Sequence, residues 1–379
     1  MRDIDKLRRG FNSRDKMKVL VDIGHPAHVH LFKNIIWNLK EDGHEVMITA
    51  RDKEITLYLL EVYGFKYESL GEHHKNLLNK LLDLIVREYK LYKIAKKFKP
   101  DVFISPGSVC AAHVSKLFGK PHISLEDTEL STEQIRLYAP FTDVILTPSC
   151  FRLDLGKKQI RYNGYHELAY LHPNHFKPDP LILDEMNISE DDAFIILRFI
   201  SWGASHDIKL KGIDRGKELE FVKSLERYGN VFITSEGKLD KKLEKYRITI
   251  LPEKIHSLLY YADLYIGEGG TMAAEAAILG TPSIHIESTS KGIATGEFTG
   301  NFLELRDKYG LLYFYPDQDQ ALEKAISILE DENSKNEWRK RRERLLKDKI
   351  DVTAWMVDFI ERYPESFYEY KRQEKNESA

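Results

Sequence analysis

From Met17 onward the sequence alternates short apolar runs with longer amphipathic stretches, and it does so in two successive rounds. An apolar run of strand length followed by an amphipathic helix is the unit of a parallel sheet, because parallel neighbours can be joined only by a crossover that covers a face of the sheet. In the first round Lys18 to Ile23 (KVLVDI) reads as the opening strand and His28 to Lys40 as its helix, stopped at Gly43. Val46 to Ala50, Lys66 to Ser69, Asp101 to Ser105, His122 to Leu125 and Asp143 to Thr147 read as the strands that follow. In the second round the strands are Ala193 to Phe199, Asn230 to Thr234, Asp263 to Gly267, Pro282 to Glu287 and Leu311 to Tyr315, with helices such as Asp214 to Tyr228 and Gln318 to Leu329 between them. Between the rounds Pro173, Pro178 and Pro180 interrupt both helix and ladder.

The expectation is an α/β chain of two doubly wound, parallel-sheet, Rossmann-like domains. Residues 1–16 form an N-terminal extension, 17–165 the first domain, 166–185 a linker and 186–350 the second domain; a terminal helix over 351–370 packs back near the first domain, and 371–379 is a frayed tail. A length of 379 residues fits that count, at about 100–200 residues per domain. In open parallel sheets ligands sit beyond the carboxyl ends of the strands, so two such domains place a site in the cleft between them. The residues to examine are those just after strands.

Composition excludes several classes. With 42% hydrophobic and 31% charged residues the chain can bury a core, unlike a disordered or collagen-like sequence. A net charge of −3 gives no reason to expect a nucleic-acid partner. No run approaches the ~18 uninterrupted apolar residues of a membrane span, and Met1 to Lys16 lacks the apolar centre of a signal peptide, so the expected location is the cytoplasm. Cys110 and Cys150 are too few for a disulfide framework or a four-cysteine zinc site and read as small buried hydrophobes. Asn76 to Lys99 is a long amphipathic helix with Arg87, Lys90, Lys93, Lys96, Lys97 and Lys99 in its second half. It reads either as a packing helix with a solvated basic face or as a peripheral contact with the anionic cytoplasmic membrane face.

The sharpest motif is Gly267 to Pro282, GEGGTMAAEAAILGTP. A strand ends there, Glu268, Gly269 and Gly270 form a tight turn, and a helix of small residues starts near Thr271 and stops at Gly280. Free amides at Gly269, Gly270, Thr271 and Met272, helped by the positive helix end, suit a phosphate. Glu275 lies four residues after Thr271 on the same helix face and is expected to be free for ligand hydroxyls. The alternative is a packing turn with an alanine-rich helix and a solvated glutamate.

Three further clusters follow strand ends. Gly24 to His30 (GHPAHVH) opens the first helix: Gly24 permits close approach, His25 or His28 is a natural general base for a hydroxyl, and His30 stands with them. The three rings also admit a metal reading, for which no nearby ligand spacing completes a recognised site, so no metal is expected. Glu126, Asp127 and Glu129 (SLEDTELS) can orient the histidines, act as a base, hold a divalent ion, or leave Asp127 or Thr128 as a helix cap. Ser105 and Gly107, in SPGS, form a similar strand-to-helix loop after the fourth strand. In the second round Arg198, Ser201 and His206 stand at or just after a strand end, where Arg198 can neutralise a diphosphate without a metal ion. Ser288 to Asn301, with Lys291 and Glu297, reads as a lid or a surface loop.

The stretch Gly267 to Pro282 resembles the donor-site motif of GT-B-fold nucleotide-sugar enzymes. That resemblance implies a GT-B fold, diphosphate contacts at Gly269, Gly270 and Thr271, a ribose contact at Glu275, an acceptor hydroxyl activated by His25 or His28, and Gly24, His30, Ser105 and Gly107 bordering that acceptor. The relatives it brings in are the transferase that makes lipid-linked peptidoglycan precursor and the UDP-N-acetylglucosamine 2-epimerase. It implies a metal-independent glycosyltransferase with no cofactor beyond its substrate, a UDP-sugar being favoured, and an acceptor that can be lipid-linked. The runner-up is a nucleotide-sugar epimerase or hydrolase, and the third reading is a nucleotide-sugar-binding protein without turnover. The chain lacks the doubled glycine loop of the peptidoglycan transferase, and LRFISWGASHD stands where the epimerase has a histidine-arginine-glutamate-asparagine motif. GHPAHVH, YNGYHELAYLHP at Tyr162 to Pro173 and LRFISWGASHD together resemble an uncharacterised prokaryotic family of unknown function, over nearly the whole chain from Met17 to about Tyr363.

Overall fold

A computed structural model describes residues 16–72, 77–189, 192–200, 210–214, 216–235 and 237–377. The first sheet contains β1 (Lys18–Ile23), β2 (Glu45–Asp52), β3 (Tyr67–Glu72), β4 (Val102–Pro106), β5 (His122–Leu125), β6 (Val144–Pro148) and β7 (Gln159–Tyr162). These seven strands are parallel, in the order β3-β2-β1-β4-β5-β6-β7. Helices cover both faces, which is why the strands are apolar almost throughout: Val19, Leu20, Val21 and Ile23 have no exposed surface. The strand β7 escapes the sequence reading because QIRY is short and half polar.

In the second half β8 (Phe194–Phe199) is followed by the two-residue β9 (Leu210–Lys211), then β10 (Asn230–Ser235), β11 (Leu264–Gly267), β12 (Ser283–Ile286), the two-residue β13 (Ser288–Thr289) and β14 (Leu312–Tyr315). Five of them form a parallel sheet in the order β10-β8-β11-β12-β14, while β9 and β13 pair antiparallel apart from it. In each sheet the winding reverses direction once, between β1 and β4 in the first and between β8 and β11 in the second. A crevice opens outside the carboxyl ends at such a reversal. The turns after β1, β4, β8 and β11 therefore border the cleft.

The halves are stitched by the segment after β7. Its short helix Leu168–Leu171 packs between the helices Pro26–Glu41 and Gly270–Leu279. The Ala169 carbonyl accepts from the Asn34 amide at 2.8 Å and from the Thr353 hydroxyl at 2.6 Å. Thr353 belongs to the helix Val352–Glu361, which lies on Pro26–Glu41. The expected frayed tail is corrected: the helix Glu365–Glu377 continues past Lys371. The Trp355 indole N–H meets the Tyr370 hydroxyl at 2.5 Å, and the Lys371 ammonium meets the Gln159 carbonyl, so this helix is tied to both its neighbouring helix and β7.

The basic helix is present as Leu77–Phe98, with Leu91 and Ala95 buried beside Leu20 and Phe103. Ile85, Val86 and Tyr89 are exposed on it. Among the described residues no helix is long and apolar enough to cross a membrane. Both cysteines are free thiols; Cys110 is buried and Cys150 half-buried.

Candidate functional site

The carboxyl ends of the strands enclose a cavity of about 430 Å³. Its wall takes Asp22 from β1, Gly107 and Ser108 after β4, Glu126 and Asp127 after β5, His166 and Glu167 after β7, and Thr271 after β11. A larger recess, about 580 Å³, lies at the amino ends of the first sheet around Asp101, Lys120 and Pro121. Charged groups there pair with one another, Lys120 with Asp101 at 3.3 Å and Lys116 with Asp143 at 3.9 Å. The smaller cavity is where polar groups converge.

The loop after β1 is organised by its own histidines. Gly24 turns beside Arg51, whose guanidinium carbon lies 3.8 Å from where a side chain would begin. His25 is extended (φ −157°, ψ 153°) and caps the helix Pro26–Glu41, its Nδ1 accepting the Ala27 N–H at 3.2 Å, with Pro26 in the first turn. His28 Nδ1 accepts the Gly24 N–H at 3.3 Å. A neutral imidazole has one lone pair and one N–H, so both rings keep their proton on Nε2 and act there as donors. Burial and the Lys53 ammonium hold the His25 pKa down at about 4, and burial with the neighbouring His25 holds His28 well below its ordinary value. This corrects the expectation of a general base at His25 or His28: the lone pair a base needs is spent on the loop's own amides. His30 turns away from the cavity. Its ring packs edge-on to His256 at 4.7 Å, and its Nδ1 is 3.3 Å from the Tyr63 hydroxyl. It is a packing residue between the halves, not an acceptor contact, and the three-histidine metal reading goes with it. Among the described residues no group of His, Cys, Asp and Glu is placed to hold a metal ion.

Asp127 does orient a histidine, but a different one. Its Oδ2 lies 2.8 Å from His166 Nδ1, and its Oδ1 accepts from the Thr128 hydroxyl at 3.1 Å. Burial alone would raise the Asp127 pKa; the His166 ring outweighs it and holds the carboxylate below its usual range. Burial would likewise lower His166, and Asp127 outweighs it upward. The capping alternative fails, since the next helix, Thr132–Tyr138, starts at Ser131 with no side-chain cap. Glu126 accepts from the Tyr138 hydroxyl at 2.9 Å and the Thr128 N–H at 3.1 Å; burial, then Asp127, raises it to about 7. Glu167 is raised to about 8, again by burial first and Asp127 second, and its Oε2 is buried without a partner. Glu129 points elsewhere: its Oε1 accepts the N–H groups of Gly300 at 2.9 Å and Arg152 at 3.0 Å. That clasp joins the segment Ser288 to Asn301 to the first half, with Glu297 paired to Arg306 at 2.8 Å, so the segment is a contact between halves.

On the opposite side the glycine turn is set by packing first. Gly267 has φ 149°, and a Cβ there would lie 2.4 Å from the Arg198 carbonyl oxygen, because β11 and β8 pair at that point. Gly269 has φ 86°, and its Cβ would meet Arg198 Nε at 3.0 Å; Gly270 faces Phe302 at 3.4 Å. With glycine at Gly267, Gly269 and Gly270, the turn starts the ten-residue helix Gly270–Leu279 with no side-chain cap, and Thr271 stands exposed on the cavity wall. The helix stops at Gly280 in the left-handed region (φ 84°), as expected, and Met272 is half-buried against the core. Arg198 runs under Gly269, 3.4 Å from the Thr234 hydroxyl, and its charge reaches Glu275 and His25.

Three expectations change. Glu268 is no donor contact: it is buried, and its two oxygens accept the N–H groups of Ile200, just after β8, and Ile213, just after β9, each at 2.8 Å. Ser201 and His206 lie outside the described residues. Glu275 is not a free carboxylate. It is 5% exposed, and its Oε1 accepts from Tyr170 at 2.8 Å and faces His256 Nε2 at 3.0 Å. Burial would raise its pKa, but His256, Tyr170 and Arg198 together hold it below the ordinary value. Ser105 is buried against His122 Nε2 at 2.8 Å and supports the β4 turn from behind.

Several wall residues went unread in the sequence. Asp22, the last polar side chain of an apolar strand, accepts from the Thr49 hydroxyl at 2.7 Å and the Ser108 hydroxyl at 2.5 Å. Arg51, at the end of β2, has a buried Nε without a partner. His166, Glu167 and Tyr170 lie in YNGYHELAYLHP, which the prolines behind it marked as linker.

An uncharacterized protein of Methanocaldococcus jannaschii, MJ0665, is 28% identical over 284 residues, 71% of this chain and 81% of that protein. The UDP-GlcNAc 2-epimerase of Neisseria meningitidis bound to UDP-GlcNAc matches with a TM-score of 0.65 at 14% identity, over 91% of this chain and 99% of that one. The glycosyltransferase SsfS6 of Streptomyces sp. SF2575 matches with a TM-score of 0.58 at 14% identity, over 91% and 100%. At these identities the likeness is one of fold, and with the two parallel sheets facing a shared cleft it makes the architecture GT-B. The family whose model matches is described as protein of unknown function, DUF354, and with residues 17–361 matched the chain belongs to it.

Proposed function

We propose that this protein is a GT-B nucleotide-sugar enzyme that moves a sugar from a nucleoside-diphosphate sugar, UDP favoured, to an acceptor hydroxyl without a metal cofactor. The observation that carries this reading is the cavity itself, where an acid-base cluster of the first half faces the uncapped helix end at Thr271. The donor diphosphate lies over the amides of Gly269, Gly270, Thr271 and Met272, where the helix dipole favours negative charge. Arg198 beneath the turn adds the charge a divalent ion would otherwise carry, making the nucleotide a better leaving group. Glu275 keeps one oxygen, Oε2, for a ribose hydroxyl while Oε1 stays with Tyr170 and His256. The Nε2–H groups of His25 and His28 donate to sugar or acceptor oxygens, and Gly24 and Gly107 leave room for the acceptor. The basic helix Leu77–Phe98, with Ile85, Val86 and Tyr89 exposed, suits a lipid-linked acceptor presented at an anionic membrane face.

The test is a screen of purified full-length protein against UDP-, GDP-, dTDP- and CMP-sugars by thermal shift and product analysis. One donor should raise the melting temperature and release its nucleotide when the acceptor is supplied; no stabilisation by any of them removes the reading. A second reading, epimerase or hydrolase, is favoured by one observation: Glu126 and Glu167 are held at about 7 and about 8, where a carboxyl can both give and take a proton near neutral pH. Conversion of the donor alone, to a sugar isomer or to free sugar, selects it.

A further inference from the structure

We propose that His166, oriented by Asp127, moves the proton in this cavity, which gives the segment joining the two halves the central catalytic residue. The proposal rests on the nucleotide-sugar reading above. Among the described residues three histidines line the cavity, and the geometry separates them. His25 and His28 spend their Nδ1 lone pairs on the Ala27 and Gly24 N–H groups and are donors at Nε2. His166 is the reverse case. Its Nδ1 is 2.8 Å from an Asp127 carboxylate oxygen, which can only accept, so the ring proton sits on Nδ1 and the lone pair on Nε2. That Nε2 is buried and has no partner. The ring lies nearly parallel to Tyr162, at 6.5 Å and 12°, which fixes its plane. Beside it Glu167 Oε2 is also buried and unpartnered on the same wall. Buried polar atoms are nearly always paired, so two adjacent residues with orphan atoms on one cavity wall mark the place where a ligand supplies the partners.

An acceptor hydroxyl seated against Nε2 gives its proton to that nitrogen as its oxygen bonds to C1 of the donor sugar. The bond from C1 to the diphosphate oxygen breaks, and its electron pair leaves with the nucleoside diphosphate. Asp127 stabilises the imidazolium formed and acts as a positioning residue. Among the described residues the charged and titratable groups around the ring are Asp127 and Glu126 from the loop after β5, Glu167 next to it, Tyr162 of β7 parallel to it, and His28 from the opposite helix. Of these Asp127 dominates and raises the ring's pKa above the ordinary histidine value.

Two measurements on the full-length protein test this. In long-range proton–nitrogen NMR, with His166→Gln for assignment, the neutral His166 ring should carry its proton on Nδ1 and titrate above an ordinary histidine, and Asp127→Asn should lower that midpoint. In turnover, measured as UDP release from UDP-N-acetylglucosamine, His166→Gln should cut kcat by about 100-fold or more, with calorimetric UDP affinity within about twofold of wild type. Asp127→Asn should lower kcat and move the acid limb of the pH profile to lower pH. A neutral ring protonated on Nε2, or a folded His166→Gln protein with unchanged kcat, overturns the proposal. If wild type neither binds UDP nor releases it, the nucleotide-sugar reading has failed, and the ring's tautomer and midpoint decide the dyad by themselves.

Discussion

At the end of β1 the turn Gly24–His28 is crowded with side chains that hydrogen-bond to the loop itself, whereas at the end of β11 the turn Gly267–Thr271 carries almost none. Both start a helix, and both border the same cleft. The difference lies in what each backbone must do. The β11 turn is pressed onto Arg198 with positive φ at Gly267 and Gly269, so its glycines are required by the fold before any ligand is considered. The β1 turn has room beside Gly24, and its shape is held by two imidazoles whose remaining N–H groups are left for chemistry. A bare turn supplies amides and a dipole; a furnished one supplies donors of chosen position.

The largest effect that could break this comparison is Gly267→Ala. A Cβ 2.4 Å from the Arg198 carbonyl at φ 149° should cost about 3 kcal/mol in chemical denaturation. Gly24→Ala, whose nearest neighbour is 3.8 Å away, should stay within about 0.5 kcal/mol. Equal losses at the two positions would dissolve the distinction. Next in size is Glu275→Ala, which leaves Tyr170 and His256 buried without their acceptor and should cost about 2 kcal/mol together with nucleotide affinity. Loss of affinity at unchanged stability would instead return Glu275 to the role of a free ribose ligand.

Stability against pH sharpens the view of the first half. Glu126 and Glu167 hold their protons more tightly folded than unfolded, at about 7 and about 8. Their contribution is therefore full below the ordinary glutamate value and is lost as pH rises through those two values. Melting temperature should fall across that window, and Glu126→Gln with Glu167→Gln should flatten the fall; an unchanged slope places the effect elsewhere. His25→Ala, which removes one helix cap, should cost about 0.5–1 kcal/mol by thermal denaturation, less than Gly267→Ala or Glu275→Ala and more than Gly24→Ala.

The sheet rhythm was readable because a strand buried on both faces has to be apolar, as KVLVDI and HISL are. The glycine turn was readable for the same kind of reason, since only glycine fits where β8 and β11 meet. What the sequence hid were partnerships. Nothing in the spacing of 39 positions from Asp127 to His166 says that they meet, and the prolines after Leu171 drew HELAY into a linker when its first residues form part of the cavity wall. Glu268 and Glu275 sit at turn and helix positions that suit ligands, and only the fold reveals that backbone amides and two interface side chains already hold them.

Amide hydrogen exchange decides whether a nucleoside diphosphate rests on the β11 turn while the reacting groups come from the other half. The full-length protein would be followed with and without UDP, GDP, dTDP and CDP. One of these nucleotides should slow exchange at Gly269, Gly270, Thr271 and Met272 and leave the amides of Gly24 and Ala27, already bonded to His28 and His25, unchanged. Protection confined to the β1 loop, or none at the β11 turn with any of the four, would place the diphosphate elsewhere.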